Sequence, residues 1–368
     1  MIDEFVLEKL EFEKILNQIS KYSCTESGKN LILNLFPASD LAFIKTEGIL
    51  IEEAKEILNK AGHPPIEFIS DINRSLTESR IEGAIISSNK VLEVLKLAKT
   101  SRLLIQFLKS ELKDDSRLRD KLNFLFSDKL FEHHIEKVIN EQGEVRENAS
   151  NELSRIRKDI NSRRNELVKS INRIIKTLKD EDIVREDYLT LRDGRMVIPI
   201  KAEHKRHIRG FIHSESSTGQ TVYIEPEETL DLNNDIISLS FAERREIERI
   251  LKELTKMIGQ SSEQLKTSLD TIAYIDSIFA RAKYSTEIIG SFPQVDNTKP
   301  IFISEARHPI LLKKLSRTKT VPLSFELNSD KVVVITGPNA GGKTVVLKTI
   351  GILSIMLQAG IHVPANSN

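Results

Sequence analysis

Tryptophan is absent from this chain, cysteine occurs once, and 54 Lys+Arg against 54 Asp+Glu leave its 368 residues with no net charge. A single thiol, Cys24, excludes an intrachain disulfide and any multi-thiol metal site, and reads as a small buried hydrophobe. No apolar window approaches the roughly 20 residues that span a bilayer. The N-terminus, Met1-Ile2-Asp3-Glu4, is acidic where a secretory leader is basic. These absences predict a cytoplasmic chain without a membrane partner. Balanced charge also excludes uniform attraction to polyanions, so any such binding must come from a local basic surface offset by acid elsewhere. With aromatics at 5% and charged residues at 29%, the composition is that of a helix-rich protein, and the length predicts two or three domains.

Residues 1–143 read as a run of amphipathic helices forming a helical core. Phe5, Leu10, Phe12, Ile15, Leu16 and Ile19 recur near helical spacing, as do Val91, Leu92, Val94, Leu95, Leu97 and Ala98 after a cap at Ser88 or Asn89. Ser39 or Asp40 caps the helix after Phe36-Pro37.

From 144 to 180 the chain has no Pro or Gly, and Leu153, Ile156, Ile160, Leu167, Ile171, Ile174 and Leu178 fall at spacings of 3, 4, 7, 4, 3 and 4. One narrow apolar stripe on a charged rod about 55 Å long needs a partner helix to cover it. Residues 230–298 supply one, with Leu239, Phe241, Ile247, Ile250, Leu254, Met257 or Ile258, Leu265, Leu269, Ile272 and Ile275 near the same period. An antiparallel helical stalk is the simplest arrangement. Between its arms, residues 181–229 cluster β-branched residues in Met196–Ile200, His207–His213 and Gln220–Ile224, separated by turn sequences, and predict a small β tip.

The neutral total conceals a dipolar arm. Asn151 to Gly210 holds 16 Lys+Arg and 10 Asp+Glu, a local +6, whereas Glu215 to Glu248 has 9 acidic residues against Arg244 and Arg245, a local −7. Arg192, Arg195, Lys201, Lys205, Arg206 and Arg209 form a phosphate-tracking set at the tip, although no aromatic ladder interleaves them along the chain. His204, His207 and His213 lack carboxylate or thiolate companions at metal-ligand spacing, so no metal is expected there.

At about residue 299 the texture changes to α/β. Ile301-Phe302-Ile303 predicts a short strand, and Lys331-Val332-Val333-Val334-Ile335-Thr336 predicts one buried on both faces. Gly337-Pro338-Asn339-Ala340-Gly341-Gly342-Lys343-Thr344 follows, leading into a helical period from Val345 to Leu353. Glycines let successive N–H groups converge on a β-phosphate, and the helix adds its positive end. Lys343 would lie along the β- and γ-phosphates, and Thr344 would give its hydroxyl to Mg²⁺, so ATP and Mg²⁺ are the expected cofactors.

Thr336 to Thr344, with Pro-Asn inside the loop, resembles the MutS family of ABC-type ATPases, as do Gln358-Ala359-Gly360-Ile361-His362-Val363-Pro364-Ala365 and Arg307-His308-Pro309. Leu7-Glu8-Lys9-Leu10-Glu11-Phe12 and the stretch from Gly210 to Pro226 are similar to its second bacterial subfamily, and the likeness covers essentially the whole chain. The resemblance implies a mainly α fold with a small β clamp tip, followed by the beginning of an α/β P-loop ATPase domain. It makes 144–180 and 230–298 levers, 181–229 the clamp, and 299–368 the N-terminal part of the ATPase domain. An adenine pocket would draw on residues between His308 and Leu323.

The same likeness implies that the full-length protein is a homodimeric ATP hydrolase that binds branched DNA and restrains homologous recombination, with endonuclease activity from a C-terminal domain. The alternative it offers is a factor that splits stalled or collided ribosomes, its tip meeting rRNA or ribosomal protein. A chromosome-organising coiled-coil ATPase is a third reading, against which Pro338-Asn339 and the short β-tipped arm argue. Core-like sequence begins at the first residue, so mismatch reading is not expected. Only 24 residues follow Thr344, before the family's metal-holding acidic strand, so this chain alone is not expected to hydrolyse ATP.

Overall fold

Apolar residues at helical spacing fold as they read: a computed structural model is mainly helical, and describes residues 3–179, 183–184, 190–295, 301–327, 332–338 and 341–366. In chain order the elements are α1 (Glu4–Lys9), α2 (Phe12–Ser20), α3 (Glu26–Leu33), α4 (Leu41–Ala61), α5 (Asn73–Glu78), α6 (Ser88–Glu111), α7 (Leu118–Lys121), α8 (Lys129–Val138) and α9 (Asn151–Lys179). Then come β1 (Thr190–Arg192), β2 (Arg195–Lys201), β3 (Gly210–Glu215), β4 (Thr221–Pro226), α10 (Leu230–Gln260), α11 (Ser262–Ile288), β5 (Ile301–Ala306), α12 (Pro309–Leu315), β6 (Leu323–Leu327) and α13 (Lys343–Gln358). The chain divides into two compact units, one of Met1–Arg80, Glu93–Glu132 and Ile258–Asn368, the other of Ile81–Leu92 and His133–Met257.

In the first unit, Phe12, Ile15, Leu16 and Ile19 of α2 share a core with Ala280, Tyr284 and Ile288 of α11, Leu312 of α12, and Ile352, Leu353, Ile355 and Met356 of α13. Asp40 is the cap of α4, its carboxylate accepting from the Ala42 N–H at 2.9 Å. Buried Asp276 on α11 accepts from the Ser23 hydroxyl at 2.6 Å, the Thr25 N–H at 2.8 Å and the Thr25 hydroxyl at 2.7 Å, fastening the entry to α3. A carboxylate removed from water is tolerated there because each lone pair meets a donor.

In the second unit, α9 buries Leu153, Ile156, Ile160, Leu167, Ile171 and Ile175 along one stripe. Arg157 pairs with Glu243 at 2.7 Å, Arg163 with Asp235 at 3.4 Å and Arg173 with Glu228 at 3.6 Å. Numbers rise on one side as they fall on the other, so α9 and α10 run antiparallel. Beyond them lies an antiparallel sheet in the order β1-β2-β4-β3. Ile198, Ile200, Val222 and Ile224 point from one face of this sheet into a core with Leu167, Ile171, Ile175 and Ile236.

Several sequence expectations need correction. Phe5 and Phe241 are 59% and 54% exposed rather than core, since helical spacing marks a face without saying that anything covers it. The stripe of α9 widens to take in Ile175, with Ile174 and Leu178 half-buried against the same core, because a helix of 3.6 residues per turn drifts from a 3.5-residue seam. α6 starts at Ser88, so neither Ser88 nor Asn89 caps it, and the second long stretch breaks at Ser261 into α10 and α11.

The apolar run before the glycine loop also departs from its reading. Val332 to Thr336 forms no strand, and Val332, Val333 and Val334 are 77%, 49% and 79% exposed, while Lys331 lies outside the described residues. A strand buried on both faces needs neighbours on both edges. Among the described residues β5 and β6 pair antiparallel with each other, and no parallel ladder is present to receive it.

Candidate functional site

Glycine chemistry shapes the loop that precedes α13. Gly337 and Gly342 have φ of 150° and 82°, and a Cβ added at either would meet nothing within 4 Å. Gly342 is the N-cap of α13, and no side chain caps the helix. Its first-turn N–H groups are therefore available to an anion, reinforced by the helix dipole. Lys343 donates its ammonium to the Gly337 carbonyl and, at 3.2 Å, to the Pro338 carbonyl; the Gly341 N–H donates to Pro338 O at 3.0 Å. Thr344 is exposed beside it. Thus Gly337, Pro338, Gly341, Gly342, Lys343 and Thr344 lie together at the start of α13, while Asn339 and Ala340 lie outside the described residues.

The far end of α13 is held differently. Gly360, with φ of 66°, turns the chain so that the Ile361 N–H reaches Met356 O at 2.8 Å. Its carbonyl accepts from Arg281 at 3.2 Å, and Arg281, only 1% exposed, pairs with Glu47 of α4 at 2.6 Å. The Tyr274 hydroxyl also donates to Glu47. Next along the chain, burial pushes His362 down to about 4, leaving a neutral imidazole at physiological pH. Because the Gly48 carbonyl can only accept, Nε2 carries the proton and donates to it at 3.1 Å, and Nδ1 accepts from the Ser285 hydroxyl at 2.9 Å. The stretch from Gln358 to Ala365 thus ties α13 to α4 and α11.

Arg307-His308-Pro309 opens α12 near α2. His308 is buried, which lowers its pKa, with Glu11 pulling the other way and Lys348 adding to the fall. Its Nδ1 and the Arg307 Nε are buried without a hydrogen-bond partner among the described residues. Glu11 lies 3.7 Å from Lys348 of α13, and its carboxyl is held below the usual range chiefly by a hydrogen bond from Lys14.

The basic set of the sheet unit is sorted by the strands. Arg192 lies over the Tyr223 ring, 4.0 Å from its centroid. Arg195 is engaged twice, by Glu225 at 2.7 Å and by Asn234 at 2.6 Å. Glu225, 1% exposed, also takes a hydrogen bond from His213 at 2.6 Å. Arg195 is therefore held in place by a carboxylate, unlike Lys205, Arg206 and Arg209, which are exposed on the connection between β2 and β3; Lys201 closes β2. Among the described residues no group of three or more His, Cys, Asp or Glu could hold a metal ion, and His213 is occupied by Glu225.

No family model matches the chain. An endonuclease MutS2 of Halothermothrix orenii is 34% identical over 373 residues, covering 99% of this chain and 46% of that relative. A Geobacillus endonuclease MutS2 is 35% identical over 98% of the chain, and one from Clostridium perfringens 33% identical over 100%, each again matched over 46% of its own length. The chain belongs to the MutS family, in its MutS2 branch. It spans about half the length of the relatives it matches.

In this MutS-family chain, reading the sequence found the loop and the cations but missed Glu47, Tyr274, Arg281, Glu225 and Tyr223. Arg281 and Glu47 lie on helices far apart in sequence, and a lone charge on an apolar helix face was the sole signal available. Glu225 and Tyr223 alternate along β4, so the strand period itself held the clue that they share a face with Arg195.

Proposed function

We propose that this chain is the nucleotide-binding and nucleic-acid-gripping part of a MutS-family clamp. The observation that supports the reading is the N-terminus of α13, free of a side-chain cap, behind a glycine loop to whose carbonyls Lys343 donates. Backbone N–H groups of the loop and of the first turn of α13 would hold the β-phosphate of ATP. Lys343 would exchange its carbonyl partners for phosphate oxygens, a charge-assisted contact stronger than the ones it leaves. Thr344 would offer its hydroxyl to Mg²⁺, which when bound supplies charge neutralisation between the phosphates. Asn339 and Ala340 complete the proposed loop in sequence.

In the whole protein, ATP hydrolysis, dimerisation and binding of branched DNA are proposed to follow, together with the endonuclease activity that the relatives' names carry. This chain alone is proposed to bind ATP without turning it over, since phosphoryl transfer needs metal-holding and water-orienting groups besides the loop. Lys201, Lys205, Arg206 and Arg209 would contact phosphates rather than base edges, which fits branch structure better than sequence as the feature recognised.

Titration with a fluorescent ATP analogue in Mg²⁺ tests the loop: Lys343→Ala should weaken binding at least about tenfold. Equal binding by the variant would remove the loop from the site. Turnover by the purified chain that vanishes in Lys343→Ala would overturn the binding-only assignment. Retention on ribosomes but not on junction DNA at matched salt would transfer the tip from DNA to rRNA.

A further inference from the structure

We infer that the solvent-facing ridge of α9 is a docking rail for the phosphate backbones of duplex DNA. Helix period defines the ridge. Leu153, Ile156 and Leu167 belong to the buried stripe, and Arg155, Lys158 and Lys169 each lie two residues further on, about 200° round the helix. Arg155, Lys158, Asn165, Lys169, Asn172 and Lys176 follow one another at spacings of 3, 7, 4, 3 and 4, and all six are exposed. The ridge therefore points away from the core that the stripe enters.

Charge on α9 is sorted between its faces. Its acids, Glu152, Asp159 and Glu166, repeat every seventh residue and keep to one flank, where Asp159 and Glu166 line a groove against α10 together with Asp235. No carboxylate interrupts the ridge. Arg155 reaches Asp159 only at 4.0 Å, and among the described residues Lys158, Lys169 and Lys176 have no carboxylate within ion-pair distance. Exposed lysines elsewhere do find one: Lys60 meets Glu111 at 2.9 Å and Lys113 meets Glu56 at 2.8 Å. On α10, Arg249 is held by both Glu246 and Glu253. A row of cations left without counter-charge, with Asn165 and Asn172 between them to donate hydrogen bonds, suits a regular polyanion.

Length and texture select the duplex. From Arg155 to Lys176 the ridge runs about 31 Å, close to one turn of duplex DNA at about 34 Å, so a rod laid along the duplex meets both backbones. α9 exposes no large apolar or aromatic side chain. Unpaired bases therefore find nothing to stack on, and a lipid surface finds nothing to take up. The inference rests on the nucleic-acid reading proposed above and adds a second surface to its tip cations.

Fluorescence anisotropy of a labelled DNA duplex of about 20 base pairs, some two turns, titrated with the full chain, is the test. Lys158→Gln, Lys169→Gln and Lys176→Gln combined remove three charges from good helix positions without adding a poor helix former. Binding at about 0.1 M salt should weaken at least about tenfold, and the slope of log affinity against log salt should fall by about 2–3. Lys→Gln changes at Lys14, Lys60 and Lys113, which are exposed and paired, remove equal charge and should leave affinity and slope unchanged. Equal weakening by the two sets would mean net charge rather than a ridge, and would overturn the inference. If the ridge variant binds like the parent while Lys205→Gln with Arg206→Gln and Arg209→Gln does not, the ridge falls and the tip stands; if neither changes affinity, both fall. Displacement of the duplex by polyglutamate at matched charge would make the ridge's partner an acidic protein, and tighter binding of an RNA duplex that is lost in the ridge variant would replace DNA; either result overturns the assignment.

Discussion

Two apolar runs of nearly identical texture meet opposite fates in this chain. Met196-Val197-Ile198-Pro199-Ile200 becomes β2, flanked by β1 and β4, with Val197 through Ile200 all buried. Val332-Val333-Val334-Ile335 has equal β propensity and lies unpaired, with three valines exposed. Propensity for strand describes the fit of side chains to a pleated, half-buried surface, and that surface is made by neighbours. Where turns return partner strands within a few residues, as after Arg192 and Ser216, the run becomes structure; where β5 and β6 satisfy each other instead, it does not.

The largest expected effect breaks this contrast at its buried side. Ile198→Asp should abolish the cooperative urea transition of the sheet unit, at a cost above about 4 kcal/mol, because the carboxylate enters a core with no partner. Val333→Asp should shift stability by no more than about 0.5 kcal/mol. Equal effects of the two would mean that the second run is buried after all.

A smaller effect sharpens the same distinction among glycines. Gly360→Ala must keep a φ of 66° and push its Cβ to 2.6 Å from that of Glu47, which should cost about 2–5 kcal/mol. Gly342→Ala pays only for the left-handed backbone, about 1–2 kcal/mol, since nothing lies within 4 Å of the new carbon. Thermal melts of the two variants check the order.

Smallest is a pH effect confined to the helix pair of the sheet unit. Hydrogen bonds from Arg249 and Ser150 hold Glu246 down to about 2, below its ordinary 4.5. A depressed carboxyl contributes stability that is complete above about pH 4.5 and is lost as pH falls towards 2. The melting temperature should therefore fall across that interval, and Glu246→Gln should flatten part of the fall. An unchanged profile in the variant would remove Glu246 from the account.

What the sequence made legible was local. The stripe of α9, the Asp40 cap and the β character of 195–201 and 221–226 are written within a few residues of where they act. Distant partners decided the rest. Nothing beside Phe5 or Phe241 says that these rings stay in water, and nothing beside Arg281 names Glu47, more than two hundred residues away, as the carboxylate that lets a guanidinium be buried. The turn ahead of α13 was readable because its glycine pattern is a local geometry, seen in the positive φ of Gly337 and Gly342. The tip was read as cations without aromatics because a chain read lengthwise conceals what a sheet sets side by side, here Arg192 on Tyr223.

α13 is secured unevenly along its length. Val345 and Leu347 are exposed near its start, whereas Thr349, Ile352, Leu353, Ile355 and Met356 are sunk in the core and Gly360 is bolted through Arg281 to α4 and α11. Mechanically this is a cantilever, with its root in the helical core and its tip at Gly342 to Thr344. A load applied at such a tip is borne as torque at the root. The bonds best placed to register it are those of Arg281 to Gly360 and His362 to Ser285, some four turns from the loop.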